Sequence, residues 1–482
     1  MQFLTIGRML GILLMLFSVT MVPPIVVSHL YDDGQLLAFY EAFGITLGAG
    51  FLVWLPCKKF RRELRVRDGF LITVMFWMVL SLSGSVPLYL SESLNLSYTD
   101  AYFESLSGLT TTGATVITGL DHLPKSILWY RQQLQWFGGM GLIVLAVAVL
   151  PMLGVGGMQL YRAEAPGPVK DSKLTPRITE TAKALWYIYL GLTILCALAY
   201  GIAGMDTFDA IAHSFSTIAI GGYSTYDASI GHFNSVAIEL VAIFFMFISG
   251  VNFALHFAAW RANSPLVYLR DSEFKFYSGL MLLVTIVTIT TLIYTNSYEP
   301  GTAFVKGLFE VVSIATTTGF STADFANWPF VLPFLLFVVA FVGGCAGSTG
   351  GGMKAIRIML ILKQGMREVK RLIHPNAVIP IKVGKKAVSD RVIEAVWGFF
   401  SLYLFVFVVL LLLLLASGLD QVTAWSAVGA CMNNLGPGLG DVALHYGDLP
   451  TFSKWVLCIA MLMGRLEVFT LLILFTPAFW RS

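Results

Sequence analysis

DAYFESLSGLTTTGATV, Asp100–Val116, decides how this chain is read. It is a short amphipathic run that stops at Thr110-Thr111-Thr112-Gly113 and lies between two long apolar segments. The plan returns in DAIAHSFSTIAIGGYST, Asp209–Thr225, with the same interval from Asp to Gly (100 to 113, 209 to 222). KGLFEVVSIATTTGFST, Lys306–Thr322, is a third copy centred on Gly319. TAWSAVGACMNNLGPGLG, Thr423–Gly440, is a looser fourth centred on Gly436. Four copies at roughly 100-residue spacing define an internal repeat.

Composition gives the solvent. Of 482 residues, 57% are hydrophobic and 12% charged, against about 25% charged in soluble domains. Runs such as Leu280–Leu292 and Phe399–Leu415 belong to stretches near the length a spanning helix needs, so the fold class is an all-α polytopic membrane protein. The net charge of +3 gives no reason to invoke nucleic acid. Five scattered cysteines, without a C-x-x-C pair or Cys/His cluster, indicate neither a disulfide framework nor a zinc site. The N-terminal apolar stretch lacks a small-x-small cleavage site and reads as an uncleaved first helix.

The chain divides into five segments. Residues 1–67 hold two helices (about Leu4–Val27 and Leu36–Leu55) and the basic run Lys58–Arg67. Residues 68–183, 184–274, 275–390 and 391–482 are the four repeats, each an apolar helix, a short amphipathic helix, the Thr/Gly strip and a second apolar helix. The second helices are expected near Leu134–Leu153, Ser235–Ala259, Phe330–Leu362 and Trp455–Phe475, giving about ten spans. Positive residues mark cytoplasmic loops. Arg162, Lys170, Lys173, Arg177 and Lys183 fall between repeats on the same side as Lys58–Arg67, as do Arg261, Arg270 and Lys275, and then Lys363, Arg367, Lys370, Arg371, Lys382, Lys385, Lys386 and Arg391. The opposite side holds few cations (Lys125, Arg131, Lys306, Lys454) and many acids. Both termini are therefore expected in the cytoplasm and all four strips outside.

A helix that enters a membrane partway and returns as an extended strip leaves carbonyls unpaired, which is tolerated only in a protein interior or a wet cavity. Four such strips around an axis can replace the water shell of a cation. Successive carbonyls point one way only if the backbone alternates hand, which glycine does without penalty; hence Gly113, Gly222, Gly319 and Gly436. Threonine hydroxyls at Thr110–Thr112 and Thr316–Thr318 add neutral oxygens. The negative ends of the short helices face the ion. No carboxylate lies in any strip, so selectivity by an acidic ring is not indicated.

Two anomalies lie elsewhere. Gly343–Gly352, GGCAGSTGGG, puts six glycines into an expected helix, against helix propensity. It is no phosphate loop, because Gly352 is followed by Met353-Lys354-Ala355 rather than closing as Gly-Lys-Ser/Thr. A kink at a close helix contact and a flexible intramembrane loop under the strips are the two readings. Arg465, inside an apolar helix, is a functional candidate by default, with an ion pair to nearby Glu467 as the structural alternative. Glu104 and Glu310 occupy one repeat position, shared by His213 and Ala427; a cation-attracting ring and anchors bonded to backbone or neighbouring hydroxyls are the two readings, of which the anchors are preferred. Glu239, Asn252 and His256 read as interhelical contacts.

Certain stretches are more specific: GLTTTGATV (Gly108–Val116), QWFGGMG (Gln135–Gly141), GVGGMQLYRAEAPGPVK (Gly154–Lys170), HSFSTIAIGGYST (His213–Thr225), GGCAGSTGGGMKAIRI (Gly343–Ile358), NNLGPGLG (Asn433–Gly440) and GRLEVFT (Gly464–Thr470). With these the chain, essentially end to end, resembles the TrkH family of bacterial Trk potassium uptake subunits, within the TrkH/TrkG/KtrB superfamily related to potassium channels. The resemblance implies four helix–pore-helix–helix repeats around one pore, preceded by the extra helix pair. It maps a potassium filter onto Thr111-Thr112-Gly113, Ile220-Gly221-Gly222, Thr317-Thr318-Gly319 and Asn434-Leu435-Gly436, with Thr110 beside the first. The fourth strip departs, with Pro437 where Ala114, Tyr223 and Phe320 stand. The resemblance makes Gly343, Gly344, Cys345, Ala346, Gly347, Ser348, Thr349, Gly350, Gly351 and Gly352 a gate, and sets Arg465 in the pore below the filter. It implies K⁺ (and Rb⁺) as bound substrate, a location in the bacterial inner membrane, a homodimer, and a TrkA-type cytoplasmic nucleotide-binding ring. NAD or ATP would bind that partner, and this chain would carry no organic cofactor. The inner basic loops also suit anionic lipid. Coupling of potassium to sodium or protons is the alternative within transport. A membrane enzyme is the alternative outside it, and the chain shows no H-E-x-x-H or paired-carboxylate motif for one.

Overall fold

The computed structural model describes residues 2–60, 66–141, 178–384 and 386–481. The distal part of the helix expected at Leu134–Leu153, the stretch Gly154–Lys170 with Arg162 to Arg177, and the middle of the basic run lie outside the described residues.

The described chain is almost wholly helical; its strands are the two-residue pair Lys382–Val383 and Lys386–Ala387. Among the described residues six helices are long and apolar enough to cross a membrane: Phe3–Tyr31, Leu36–Cys57, Arg67–Leu90, Lys183–Ile202, Ser272–Tyr294 and Asp390–Ala416. Two expected continuous spans are instead broken. Val236–Ser249 and Phe253–Ala262 meet at 94°, and Thr451–Arg465 and Phe469–Phe475 at 110°. The second break has a backbone cause, because Glu467 (φ 56°) and Val468 (φ 55°) both take positive φ, which for a β-branched residue is an outlier. Arg465 thus sits at a helix end, not inside a helix. The glycine stretch also breaks its helix, leaving Leu332–Val342 before it and Ala355–Ile373 after it. In the first repeat the second helix starts at Lys125, ahead of the expected Leu134.

Between the members of each repeat lies a short buried helix: Tyr98–Leu109, Thr207–Ala219, Pro300–Thr316 and Gln421–Asn433. Three of their N-termini are capped by a side chain just ahead of the helix. The Ser97 hydroxyl accepts from the Asp100 N–H, the Asp206 carboxylate from Asp209, and Asp420 from Val422 and Thr423, each satisfying donors that the first helical turn leaves open. The third helix begins instead with Pro300 at its first position, where the missing N–H costs nothing.

Among the described residues two large apolar cores hold the repeats, and a small third packs Ile356, Met359 and Leu360 against Ile393 and Val396. One large core joins the N-terminal pair with repeats one and four, and the other joins repeats two and three. The N-terminal pair crosses at glycines: a Cβ on Gly11 would lie 2.8 Å from the Gly50 carbonyl, and one on Gly50 2.9 Å from that of Gly11. Small residues of this kind let helix backbones touch. Three of the four cations on the strip side are neutralised, Arg131 by Glu104 at 2.8 Å, Lys306 by Glu239 at 2.7 Å and Lys454 by Asp100 at 2.6 Å.

Candidate functional site

The four buried helices end alike. Two residues before each recurring glycine the chain turns left-handed, at Thr111 (φ 56°), Ile220 (54°), Thr317 (69°) and Asn434 (52°). It does so again at Gly113 (79°), Gly222 (80°), Gly319 (83°) and Gly436 (94°). The residue between, Thr112, Gly221, Thr318 or Leu435, has no positive φ. Backbone hand thus alternates over three residues in every strip, as the filter argument requires, and strain of this kind gathers at functional sites.

The strips also close into a ring. A Cβ added to Gly113 would stand 2.1 Å from the Gly221 carbonyl oxygen, one on Gly222 2.1 Å from that of Thr318, and one on Gly319 2.1 Å from that of Leu435. One on Gly436 would stand 2.7 Å from the Thr112 carbonyl oxygen. Each strip touches the next in cyclic order, and the carbonyls involved are those of Thr112, Gly221, Thr318 and Leu435. This revises the reason for the glycines. Threonine, isoleucine and asparagine already bear positive φ two residues earlier, so hand alone does not demand glycine; the neighbouring carbonyl does.

The threonine hydroxyls are less available than the sequence suggested. Those of Thr110 and Thr316 donate to the Leu106 and Val312 carbonyls at 2.7 Å and pair with Thr112 and Thr318. Nor are the quarters equal. Gln135 accepts from the Tyr223 N–H at 3.0 Å and donates to the Gly221 carbonyl at 2.6 Å, engaging one ring carbonyl from behind. In the fourth quarter the Asn434 amide donates to the Thr112 hydroxyl at 3.0 Å, and the Tyr446 hydroxyl to the Gly436 carbonyl at 2.7 Å.

A second set of polar groups anchors the chain just beyond each strip. Glu104 accepts from the Val116 N–H (2.9 Å), Glu310 from those of Thr322 (2.7 Å) and Ala323 (3.0 Å), and the His213 Nε2 bonds the Ser224 hydroxyl (2.9 Å). In the fourth repeat Ser426, one residue before the aligned Ala427, accepts from the Leu439 N–H (2.8 Å). Arg131 completes the first anchor. It pairs with Glu104, donates to the Ser224 carbonyl at 3.2 Å and lies over the Tyr223 ring at 4.3 Å, tying repeat one to repeat two. Removing one partner of a buried pair costs about 3–5 kcal/mol. Arg131→Met should therefore lower the thermal midpoint of the detergent-solubilised protein in a size-exclusion stability assay, and adding Glu104→Gln should recover part of the loss.

On the side of the ring opposite those anchors, the glycine stretch and Arg465 come together. The Arg465 guanidinium donates to the Thr111 hydroxyl at 3.3 Å and to the Gly138 and Gly139 carbonyls at 2.5 and 2.6 Å. Glu467 is not its partner; that carboxylate pairs with Arg357 at 2.5 Å. The Thr349 hydroxyl donates to the Ile218 carbonyl at 2.9 Å, the Gly351 N–H to the Thr317 hydroxyl at 2.7 Å, and the Gly352 N–H to the Asn433 carbonyl at 3.0 Å. Every one of the four helix ends thus receives a donor from Arg465 or from the loop. The packing leaves no room: a Cβ on Gly351 would lie 1.9 Å from the Asn433 carbonyl, and one on Gly350 2.9 Å from that of Thr316. Of the expected interhelical contacts, Glu239 meets Lys306 and His256 meets the Tyr268 hydroxyl at 2.8 Å, while Asn252 caps its own helix at the Ala254 N–H.

The sequence matches the family model TrkH, described as cation transport protein, over residues 36–482. The chain belongs to the TrkH family. Trk system potassium uptake protein TrkH of Halomonas elongata is 63% identical over 475 residues, covering 98% of both chains. The protein of the same name from Escherichia coli K12 is 55% identical over 483 residues, covering 100% of both. The crystal structure of the potassium transporter TrkH from Vibrio parahaemolyticus superposes with a TM-score of 0.91 at 57% identity over the full length of both chains. The TrkH fold and multi-pass membrane character follow, and the chain is a transporter rather than an enzyme.

Reading residues singly missed Gln135, Tyr446 and the role of Arg131. Arg131 alone carried a signal, a cation close to an expected apolar helix, with Glu104 at matching depth.

Proposed function

We propose that this TrkH-family chain carries potassium into the cell across the bacterial inner membrane. The observation that supports this most is the closed ring of Thr112, Gly221, Thr318 and Leu435 carbonyls at the ends of four buried helices. A dehydrated cation on the axis exchanges its water shell for such oxygens, while the negative helix ends favour positive charge. K⁺ is the bound substrate, and Rb⁺ passes by the same chemistry. The relatives are potassium uptake proteins by name, which agrees with this cargo.

Loop 343–352 and Arg465 form the gate. With it in place, the acceptors that would help a cation leave the ring are occupied by protein donors, and a guanidinium charge sits where the ion must go. Two unit charges about 4 Å apart at an effective dielectric of about 20 repel by about 4 kcal/mol, enough to empty that position. Opening therefore requires withdrawing both elements. The charge asymmetry supports placing the strips outside and both termini in the cytoplasm. The relatives belong to a named Trk system, which supports regulation by a TrkA-type cytoplasmic ring; NAD or ATP binds that partner, and the transporter works as a homodimer among anionic lipids.

Expression in a potassium-uptake-deficient bacterium, with a TrkA partner supplied, should restore growth at low external potassium. Absence of rescue despite membrane expression would overturn the assignment.

A further inference from the structure

Besides its contacts with the helix ends, loop 343–352 is held by a carboxylate near the start of its own repeat. Glu273, buried near the start of helix Ser272–Tyr294, accepts from the Ala346 N–H at 2.7 Å and from the Ile356 N–H at 3.1 Å through one oxygen. The first donor lies within the loop and the second in the opening turn of helix Ala355–Ile373. That helix has no side-chain cap of its own: Lys354 stands at its N-cap with φ 76°, and its ammonium turns back to the Gly350 carbonyl. Glu273 therefore supplies, from another helix, both the cap and the negative charge that a helix N-terminus favours.

The connection that leads into helix Ser272–Tyr294 holds the loop a second time. The break at Gly250-Val251-Asn252 gives the Gly250 carbonyl to the Cys345 N–H at 2.8 Å, and the Phe253 N–H donates to the Gly347 carbonyl at 3.0 Å. From that break the chain runs through Phe253–Ala262 and Leu266–Arg270 directly to Glu273. One short connection thus grips the loop at both ends.

We propose that Glu273 is the positioning residue that pins loop 343–352 in its closed place, and that the linker from Gly250 to Glu273 is the lever by which a cytoplasmic force releases it. The functional half rests on reading the loop as the gate; the pinning itself does not. An acceptor oxygen, rather than the negative charge alone, is what the two N–H groups need, so glutamine substitutes and alanine does not.

The test uses the full chain in detergent and in proteoliposomes. Cys345 is buried inside the loop, and Cys57, Cys196, Cys431 and Cys458 are buried elsewhere. Maleimide labelling mapped by mass spectrometry therefore reports loop release against four internal controls of the fold. Glu273→Ala should label Cys345 about tenfold faster or more, given two lost bonds to a carboxylate, with the other four unchanged; Glu273→Gln should stay near wild type. Partner-free Rb⁺ flux should rise in Glu273→Ala alone. Wild-type Cys345 labelling in Glu273→Ala overturns the proposal, as does labelling that rises equally at all five cysteines. Faster Cys345 labelling without added flux upholds the pin and refutes the loop as gate.

Discussion

Gly113→Ser should abolish Rb⁺ uptake into proteoliposomes, with the protein still inserted and folded. The serine Cβ would stand 2.1 Å from the Gly221 carbonyl oxygen, well inside any real contact, and that neighbour is backbone with no rotamer to change. Either strip one or strip two must move, and the moved carbonyl leaves the ring. A distortion of about 3 kcal/mol, the upper end for one strained backbone position, corresponds to a loss of about a hundredfold. Gly222→Ser and Gly319→Ser face the same 2.1 Å approach and should match it, whereas Gly436→Ser, at 2.7 Å, should retain more flux. Tracer uptake at equal protein amount ranks the four. Equal losses at all four glycines would contradict the unequal quarters, and wild-type flux in Gly113→Ser would contradict the ring.

Arg465→Ala should act in the opposite direction. Losing the guanidinium takes a positive charge from beneath the ring and a donor from the Thr111 hydroxyl. Recovering even about a third of a 4 kcal/mol repulsion is worth about tenfold in occupancy, so partner-free Rb⁺ flux should rise about tenfold. The variant also vacates the Gly138 and Gly139 carbonyls and the Trp77 face, 5.4 Å from the guanidinium carbon. Arg465→Lys separates charge from fit: it keeps the cation without the fork, and should stay much closer to wild type than Arg465→Ala. Equal leaks from the two variants would assign the effect to packing rather than charge.

Much of this was legible because repeats and solvent leave marks on a sequence. Spans follow from apolar length, and the strips from glycines recurring at a fixed interval after a short helix. What stayed hidden lies between residues about a hundred positions apart. Nothing in TTTG says that Gly113 abuts the Gly221 carbonyl, and no periodicity separates a threonine facing an ion from Thr110, whose hydroxyl returns to its own helix. The helix breaks were hidden for a different reason. Gly250 and the Glu467-Val468 pair sit in strongly apolar runs, where composition predicts a continuous span; hydrogen bonds to the loop overrule it at Gly250, and positive φ with an ion pair to Arg357 at Glu467 overrules it at the second break. Arg465 was visible as an expensive charge, yet its neighbour in sequence was the wrong partner: Glu467 turns to Arg357, and the arginine turns to the helix ends.

The central claim is that the Thr112, Gly221, Thr318 and Leu435 carbonyls form one cation site. The most direct measurement is anomalous scattering from crystals of the protein soaked in thallium(I), a potassium mimic. A peak on the axis within coordination distance of those four oxygens, displaced by excess K⁺ but not by Na⁺, is predicted. Ordered strips without a peak there, or a peak that Na⁺ displaces equally well, would contradict the account.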